Sequence, residues 1–404
     1  MIAAAMHKAT GQPVPGPVTV PPLDFRHLII PCSDAHPSQA NGVHNVARQL
    51  SREQIAAGDQ ARIIFVSSKT APPDACGVPV EMVPATGASL RGHVVRMRRN
   101  LLQNLLVDAG PHTRFHLHGG RDPLLVDIAS YLHRAGIPYA VTLHGRYSHV
   151  YDNAGHCQRR VTALYLSTVE RSMLQNARFV QALSPVEQRI VHRIAPRARV
   201  AAIGNGAYSS WFEGEPARPP VRTRSSQFPH FAFCGRYEVW HKGLDLLLEG
   251  FAEYKRGGGQ GALTLIGSGD REPLKGLAQT LEISDTAQVC GPIYDAERDA
   301  VLRGCDYFVM TSRFEGGPLA ALEAARLGLP LLMSPGTGMT EIVKSRGAGI
   351  AIADATSAAV CEAMREAARL SLAEWSCRSA AAYELVVATG NWTAITAQLR
   401  LLYR

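Results

Sequence analysis

The sequence predicts two doubly wound α/β domains in tandem, and three observations carry that expectation. The chain has 404 residues, enough for two cores of ordinary size. Short runs rich in β-branched and aromatic residues alternate with helical patterns, which implies parallel sheets covered on both faces. One stretch, EGEPARPPVRTRSSQFP at 213–229, interrupts the alternation with Pro, Arg and Ser and no apolar periodicity, as a linker does.

In chain order, residues 1–24 form a Pro-rich leader expected to be disordered. The first domain, 25–212, carries strands at FRHLIIPCS (25–33), ARIIFVSS (61–68), RFHLHGG (114–120), PYAVTLHG (138–145), RFVQALS (178–184) and RVAAIGNG (199–206). After the linker, the second domain, 230–386, places strands at 230–236, 262–269, 287–293, 306–312, 330–336 and 348–353. Helices are expected near 243–256, 271–282, 295–304, 318–328 and 340–346. Most strands end in Gly, Ser, His or Asn, and in such sheets ligands bind beyond the carboxyl ends of strands. Two such domains would hold a ligand in the cleft between them.

Composition narrows the function classes. Hydrophobic residues make up 46% and charged residues 19% of the chain, the profile of a soluble globular protein. No apolar run reaches the ~18–20 residues of a membrane span, and the N-terminus lacks the basic start and apolar core of a signal peptide. The eight cysteines include no C-x-x-C pair, the usage of a reduced cytosolic enzyme. A net charge of +8 favours phosphate-bearing partners. No zinc knuckle, RNA-binding sheet motif or helix-turn-helix is present, so nucleic acid is not expected as a partner.

Three stretches carry candidate chemistry. In HFAFCGRYEVWHKG (230–243) a buried strand leads to Arg236, and Lys242 opens a helix; two cations beside a helix N-terminus suit a diphosphate, the alternative being solvated surface charge. LIGSG (265–269) ends a strand with Gly267, whose lack of a side chain lets backbone approach a phosphate or base, although a plain turn reads equally. In SRFEGGPLAALEAARLGLP (312–330), Glu315 sits at a strand's carboxyl end, and Glu323 lies just over one turn into a helix apolar nearly all round. A buried carboxylate needs a partner. Glu323 is read as accepting hydrogen bonds from a pair of ribose hydroxyls, against the alternative of an ion pair with Arg326 three residues on.

The second domain's CGRYEVWHKGLDLLLEGFAEY, GSG and SRFEGGPLAALEAARLGLPLLMSPGTGMTEIV, with its E-x7-E spacing, resembles the retaining glycosyltransferases of family 4, which have the GT-B fold. NGVHNVARQL, PYAVTLHG and GNGAYSSWF extend the resemblance more weakly into the first half. NWTAITAQLRLLYR resembles the family's last helix, expected at 387–404 and crossing back onto the first domain. The resemblance implies transfer of a hexose from a UDP-, GDP- or ADP-sugar to a sugar acceptor with no separate cofactor. The lack of an acidic D-x-D near the cleft loops implies no metal. Docking of the 90–110 segment on a membrane would imply a lipid-linked sugar acceptor in cell-surface polysaccharide or glycolipid assembly. It implies that Arg236 and Lys242 clasp the diphosphate, Glu323 holds the ribose and Glu315 lies against the donor sugar. Gly316, Gly317 and Leu319 would lend backbone to sugar and phosphate, Gly42 would let the first loop approach the phosphate, Ile293 would meet the base, and His144 would contact the sugar. Pro318 departs from the family pattern and removes one backbone donor, which bears on donor-sugar identity. A sugar-nucleotide epimerase of the same fold, or a non-catalytic sugar-nucleotide binder, is the competing expectation.

Two further features admit more than one reading. His116 and His118 share a strand face, as metal ligands would, but strand-end packing is the preferred reading. LRGHVVRMRRNLLQNLLVDAG (90–110) reads as a basic helix with Arg91, Arg96, Arg98 and Arg99; its apolar face is core or, alternatively, docks on an anionic membrane surface, placing the enzyme on the inner face of the membrane.

Overall fold

The computed structural model describes residues 21–30, 42–67, 77–90, 93–147, 156–206 and 228–404. Nearly all of the leader, most of the loop after the first strand and the linker up to 227 lie outside the described residues.

The first sheet is parallel throughout, in the order β3-β2-β1-β6-β7-β8-β9. Its strands are β1 (Asp24–Ile29), β2 (Gln60–Ser67), β3 (Val80–Pro84), β6 (Thr113–His118), β7 (Tyr139–Thr142), β8 (Phe179–Ala182) and β9 (Val200–Ala202). The second, also parallel, runs β12-β11-β10-β13-β14-β15. It comprises β10 (His230–Cys234), β11 (Ala262–Ile266), β12 (Ala287–Cys290), β13 (Tyr307–Met310), β14 (Leu331–Met333) and β15 (Gly349–Ala351). Central strands such as YAVT and YFVM are buried at every position, as strands covered on both faces must be.

Each sheet reverses its strand order once, between β1 and β6 and between β10 and β13. Those reversals are where doubly wound sheets open a crevice at their carboxyl ends. One crevice is lined by Ile29, His118, Gly119 and His144, with Val43 and His44 at the start of the helix Gly42–Ala56. At the other reversal, beyond Cys234 and Met310, stand Arg236, Lys242 and Glu315.

The last helix, Trp392–Tyr403, packs on the first sheet. Trp392, Ile395, Leu399 and Tyr403 join Phe25, Val46, Leu50 and Phe179 in one buried cluster. Asn391 caps the helix through the backbone of Thr393 and Ala394, and Arg400 pairs with Asp59 at 2.7 Å.

The long basic helix expected at 90–110 does not form. Gly87–Leu90 (β4) and His93–Met97 (β5) pair as an antiparallel hairpin, and only Arg99–Leu105 is helical. The consecutive valines 94 and 95 favour strand over helix. Gly87 also permits a contact no other residue would, since a Cβ there would fall 1.9 Å from the carbonyl oxygen of Arg96. Leu102 and Leu105 point into the core, as the core reading of this segment expects, and the alternative membrane contact loses the helix it rested on.

Candidate active site

The loop after β10 is fastened to the loop after β13 by a dense set of bonds. Arg313 forks onto Asp245 at 2.8 and 2.6 Å and donates to the carbonyl of Trp240 at 2.7 Å. His241 bonds Glu238 at 2.6 Å and the carbonyl of Phe314 at 2.9 Å, and its ring stacks on Phe314 with centroids 4.0 Å apart. Gly243 takes a φ of 62°, and a Cβ there would meet the carbonyl oxygen of Thr311 at 2.2 Å, so the turn carrying Lys242 needs glycine next to it. Lys242 thus ends the short helix Val239–Lys242, and the long helix begins at Leu244, one residue past the turn.

Held this way, Lys242 Nζ meets Glu315 Oε1 at 2.5 Å, with both side chains close to nine-tenths buried. Ser312 donates to the same carboxylate at 2.8 Å. Burial raises the Glu315 pKa, but the Lys242 ammonium, His241 and these hydrogen bonds outweigh it and hold the carboxyl below its ordinary range. Arg236 stands at the rim, 57% exposed, paired with Glu238 at 2.6 Å. The His241 hydrogen bond, assisted by Arg236 and opposed by burial, brings Glu238 down to about 2.

Glu323 is buried, as the apolar helix Leu319–Arg326 predicts. Its partner is not Arg326. Arg298, from the helix Asp295–Arg303, donates to Glu323 Oε2 at 2.8 Å. Arg326 instead pairs with Asp299, which also accepts from Arg298 at 3.0 Å. Desolvation raises the Glu323 pKa, with Arg298 opposing. Sequence reasoning missed Arg298 because it sits 25 residues away on a neighbouring helix; the three-residue spacing pointed to Arg326 alone.

Gly267 backs this loop closely, since a Cβ there would lie 2.0 Å from the carbonyl oxygen of Gly235 and 2.7 Å from the Tyr237 ring. Ile293 follows β12 and is partly buried against the second domain's core. Gly42 opens its helix exposed, and a Cβ there would touch nothing within 4 Å among the described residues.

The two domains meet at the E-G-G loop. A Cβ on Gly145 would fall 2.5 Å from the Gly316 nitrogen, and one on Gly316 would fall 2.3 Å from the His144 carbonyl carbon. Asn205 donates to the Gly317 carbonyl at 2.9 Å. His144 and Gly145 both have positive φ, 53° and 76°, and the turn is held from beneath by Glu187. That carboxylate accepts from the backbone of Gly145 at 2.8 Å and Leu183 at 2.7 Å. Burial pushes its pKa up to about 7, and the two backbone donors oppose this.

Behind His144 runs a row of polar groups through the first sheet. Register sets His27 beside His116 and Ile29 beside His118, and His118 beside Thr142. Gln54 Oε1 lies 2.8 Å from His27 Nε2, His27 Nδ1 2.9 Å from His118 Nε2, and His118 Nδ1 2.9 Å from His144 Nε2. Burial holds all three rings neutral: His27 falls to about 4, His144 to about 3, and His118 well below the ordinary range. His116 hands its Nε2 to Thr142, which donates on to Gln181. Ring nitrogens of His27, His116 and His118 lie within 4.8 Å of one another. The planes of the three rings lie 11–29° from parallel, and the hydrogen bonds of His27, His116 and His118 already occupy ring nitrogens of each.

Two facing parallel-sheet domains with charged loops at their opposed strand ends are the GT-B glycosyltransferase architecture. Over 95% of the chain, the structure matches sucrose-phosphate synthase from Thermosynechococcus elongatus with a TM-score of 0.74 at 21% identity, covering 98% of that chain. It also matches Anabaena HepE, solved with UDP and glucose, with a TM-score of 0.68 at 15% identity over 94% of this chain and 98% of that one.

Family models place the sequence more narrowly. Residues 41–206 match the glycosyl transferase 4-like domain and 219–381 match glycosyl transferases group 1. The chain belongs to the family 4-type glycosyltransferases. Among curated relatives, a glycogen synthase of Alkalilimnicola ehrlichii is 30% identical over 188 residues, 44% of this chain and 37% of that protein. A GDP-mannose:cellobiosyl-diphosphopolyprenol alpha-mannosyltransferase of Xanthomonas campestris is 23% identical over 322 residues, 78% of this chain and 80% of that one. A protein of the same description from Komagataeibacter xylinus is 25% identical over 197 residues, 48% of each chain. The chain thus spans well under half of the glycogen synthase it matches. Among the described residues no helix is long and apolar enough to cross a membrane.

Proposed function

We propose that the protein is a retaining glycosyltransferase that moves a hexose from a nucleoside-diphosphate sugar to an acceptor hydroxyl. The observation that carries this reading is the Lys242–Glu315 pair at the β10/β13 reversal, with Arg236 at its rim and His144 beside the same loop from the other domain. Arg236 and Lys242 bind the diphosphate and stabilise the charge that grows on it as the sugar–phosphate bond breaks, the work a metal ion does elsewhere. Glu323 keeps one oxygen, Oε1, without a hydrogen-bond partner among the described residues, and it receives the ribose while Arg298 holds the other. Glu315, the backbone of Gly316, Gly317 and Leu319, and His144 surround the sugar. Gly267 and Ile293 border the base, and Gly42 flanks the phosphate from the first domain.

In this reading no side chain serves as a covalent nucleophile. The acceptor oxygen bonds to the anomeric carbon on the face the phosphate leaves, and its proton passes to the departing phosphate oxygen. The chain contributes positioning and exclusion of water. Similarity to the Xanthomonas GDP-mannose:cellobiosyl-diphosphopolyprenol alpha-mannosyltransferase supports a lipid-linked sugar as acceptor and a place in cell-surface polysaccharide or glycolipid assembly. The test is release of free nucleoside diphosphate from a panel of UDP-, GDP- and ADP-hexoses. One donor class should release it slowly without acceptor, and an absence of release from every donor would end the reading.

A further inference from the structure

Neutral imidazole carries one N–H and one bare nitrogen, so the row behind His144 has a direction. Gln54 Oε1 only accepts, so His27 carries its proton on Nε2 and is bare at Nδ1. His118 must then donate from Nε2 and accept at Nδ1. His144 in turn donates from Nε2. Its Nδ1 is left bare and makes no hydrogen bond among the described residues, while the ring lines the crevice with His44, Gly119 and Arg146. All three members behind His144 are buried, with Gln54 2%, His27 0% and His118 3% exposed, so water does not reset the order.

We propose that Gln54 is a positioning residue for sugar transfer: through His27 and His118 it fixes His144 as the Nε2–H tautomer, so the crevice offers an acceptor, and the donor-sugar group taken there is a hydroxyl that gives its proton. Gln54 touches no substrate and acts only through the row. The inference rests on the transfer reading for its substrate, but not for its geometry.

The geometry is tested first, without substrate. Nitrogen-15 histidine spectra of the full chain, with His144→Gln supplying the assignment, should show His144 bare at Nδ1 and protonated at Nε2. Gln54→Met should yield a mixture of tautomers, while Gln54→Glu, which still accepts, should keep the native one. A native His144 protonated at Nδ1 overturns the proposal without any variant, as does an unchanged tautomer in folded Gln54→Met. The second arm uses donor sugars deoxygenated one hydroxyl at a time. With the native chain one analogue should lose about fivefold to tenfold in kcat/KM, the worth of a hydrogen bond; Gln54→Met, with its mixed tautomers, should lose part of that on the full donor and show a smaller further loss on that analogue. A further loss equal to the native one overturns the proposal. If no donor is turned over, the transfer reading fails, and the spectra alone decide the row.

Discussion

Lys242 and Glu315 are each other's neutralising partner, and both are nearly buried. Removing the lysine leaves a buried carboxylate without its cation and, in the proposed reading, takes a cation from the departing diphosphate. Lys242→Ala is therefore expected to lower kcat by about 10²–10³-fold, measured as product formation at saturating donor. Glu323→Ala is harder to read, because it strands Arg298, and breaking a buried pair costs about 3–5 kcal/mol. The double variant Arg298→Met with Glu323→Ala should regain melting temperature over Glu323→Ala alone while still failing to respond to nucleotide. A regained response would assign Glu323 to stability only. Glu187 supplies a pH signature. Its folded pKa near 7 lies above the ordinary 4.5, so between those values the native state holds a proton that the unfolded chain has lost. Stability should be full below that window and fall by on the order of 3 kcal/mol as pH rises through it. Glu187→Gln should flatten the slope of melting temperature against pH between 4.5 and 7; an unchanged slope would show that another group sets it.

At the scale of elements, most parallel strands were legible because most of the buried runs end in Gly, Ser, His or Asn, where the chain turns out of the sheet; the edge strand Val80–Pro84 was not. The hairpin Gly87–Met97 was not, since its arginines sit among residues that also satisfy a helical period, and only the paired backbone decides between them. The Gln54–His144 row was illegible for another reason: its members come from a helix, two strands and a strand-end turn, and only register brings them together. His116 and His118 could be seen to share a face; His27 and Gln54 could not be seen to join them. Glu323's burial followed from its apolar helix, while its partner Arg298 depended on how a neighbouring helix lies. The last helix gives the element-scale prediction. Trp392 is fully buried against the first sheet, so Trp392→Ala should cost about 3–5 kcal/mol and lower the denaturant midpoint; a loss under 1 kcal/mol would mean the helix is not part of that core.

Over the whole molecule, the two domains touch where Gly145 and Gly316 allow backbone to meet backbone. Neither position has room for a methyl group, so Gly316→Ala should hold the domains apart. Nucleotide binding by the second domain should survive, while transfer falls sharply if, as proposed, closure assembles the sugar site from both halves. If instead every property depends on the second domain's cations, the chain needs them before any closure. The most direct measurement is therefore the thermal shift of the full chain with UDP-, GDP- and ADP-hexoses, native beside Lys242→Ala. Ligand that binds the native state raises the melting temperature, so one nucleotide class should stabilise the native chain and leave Lys242→Ala unmoved. Equal stabilisation of both proteins would contradict the diphosphate site proposed between Arg236 and Lys242.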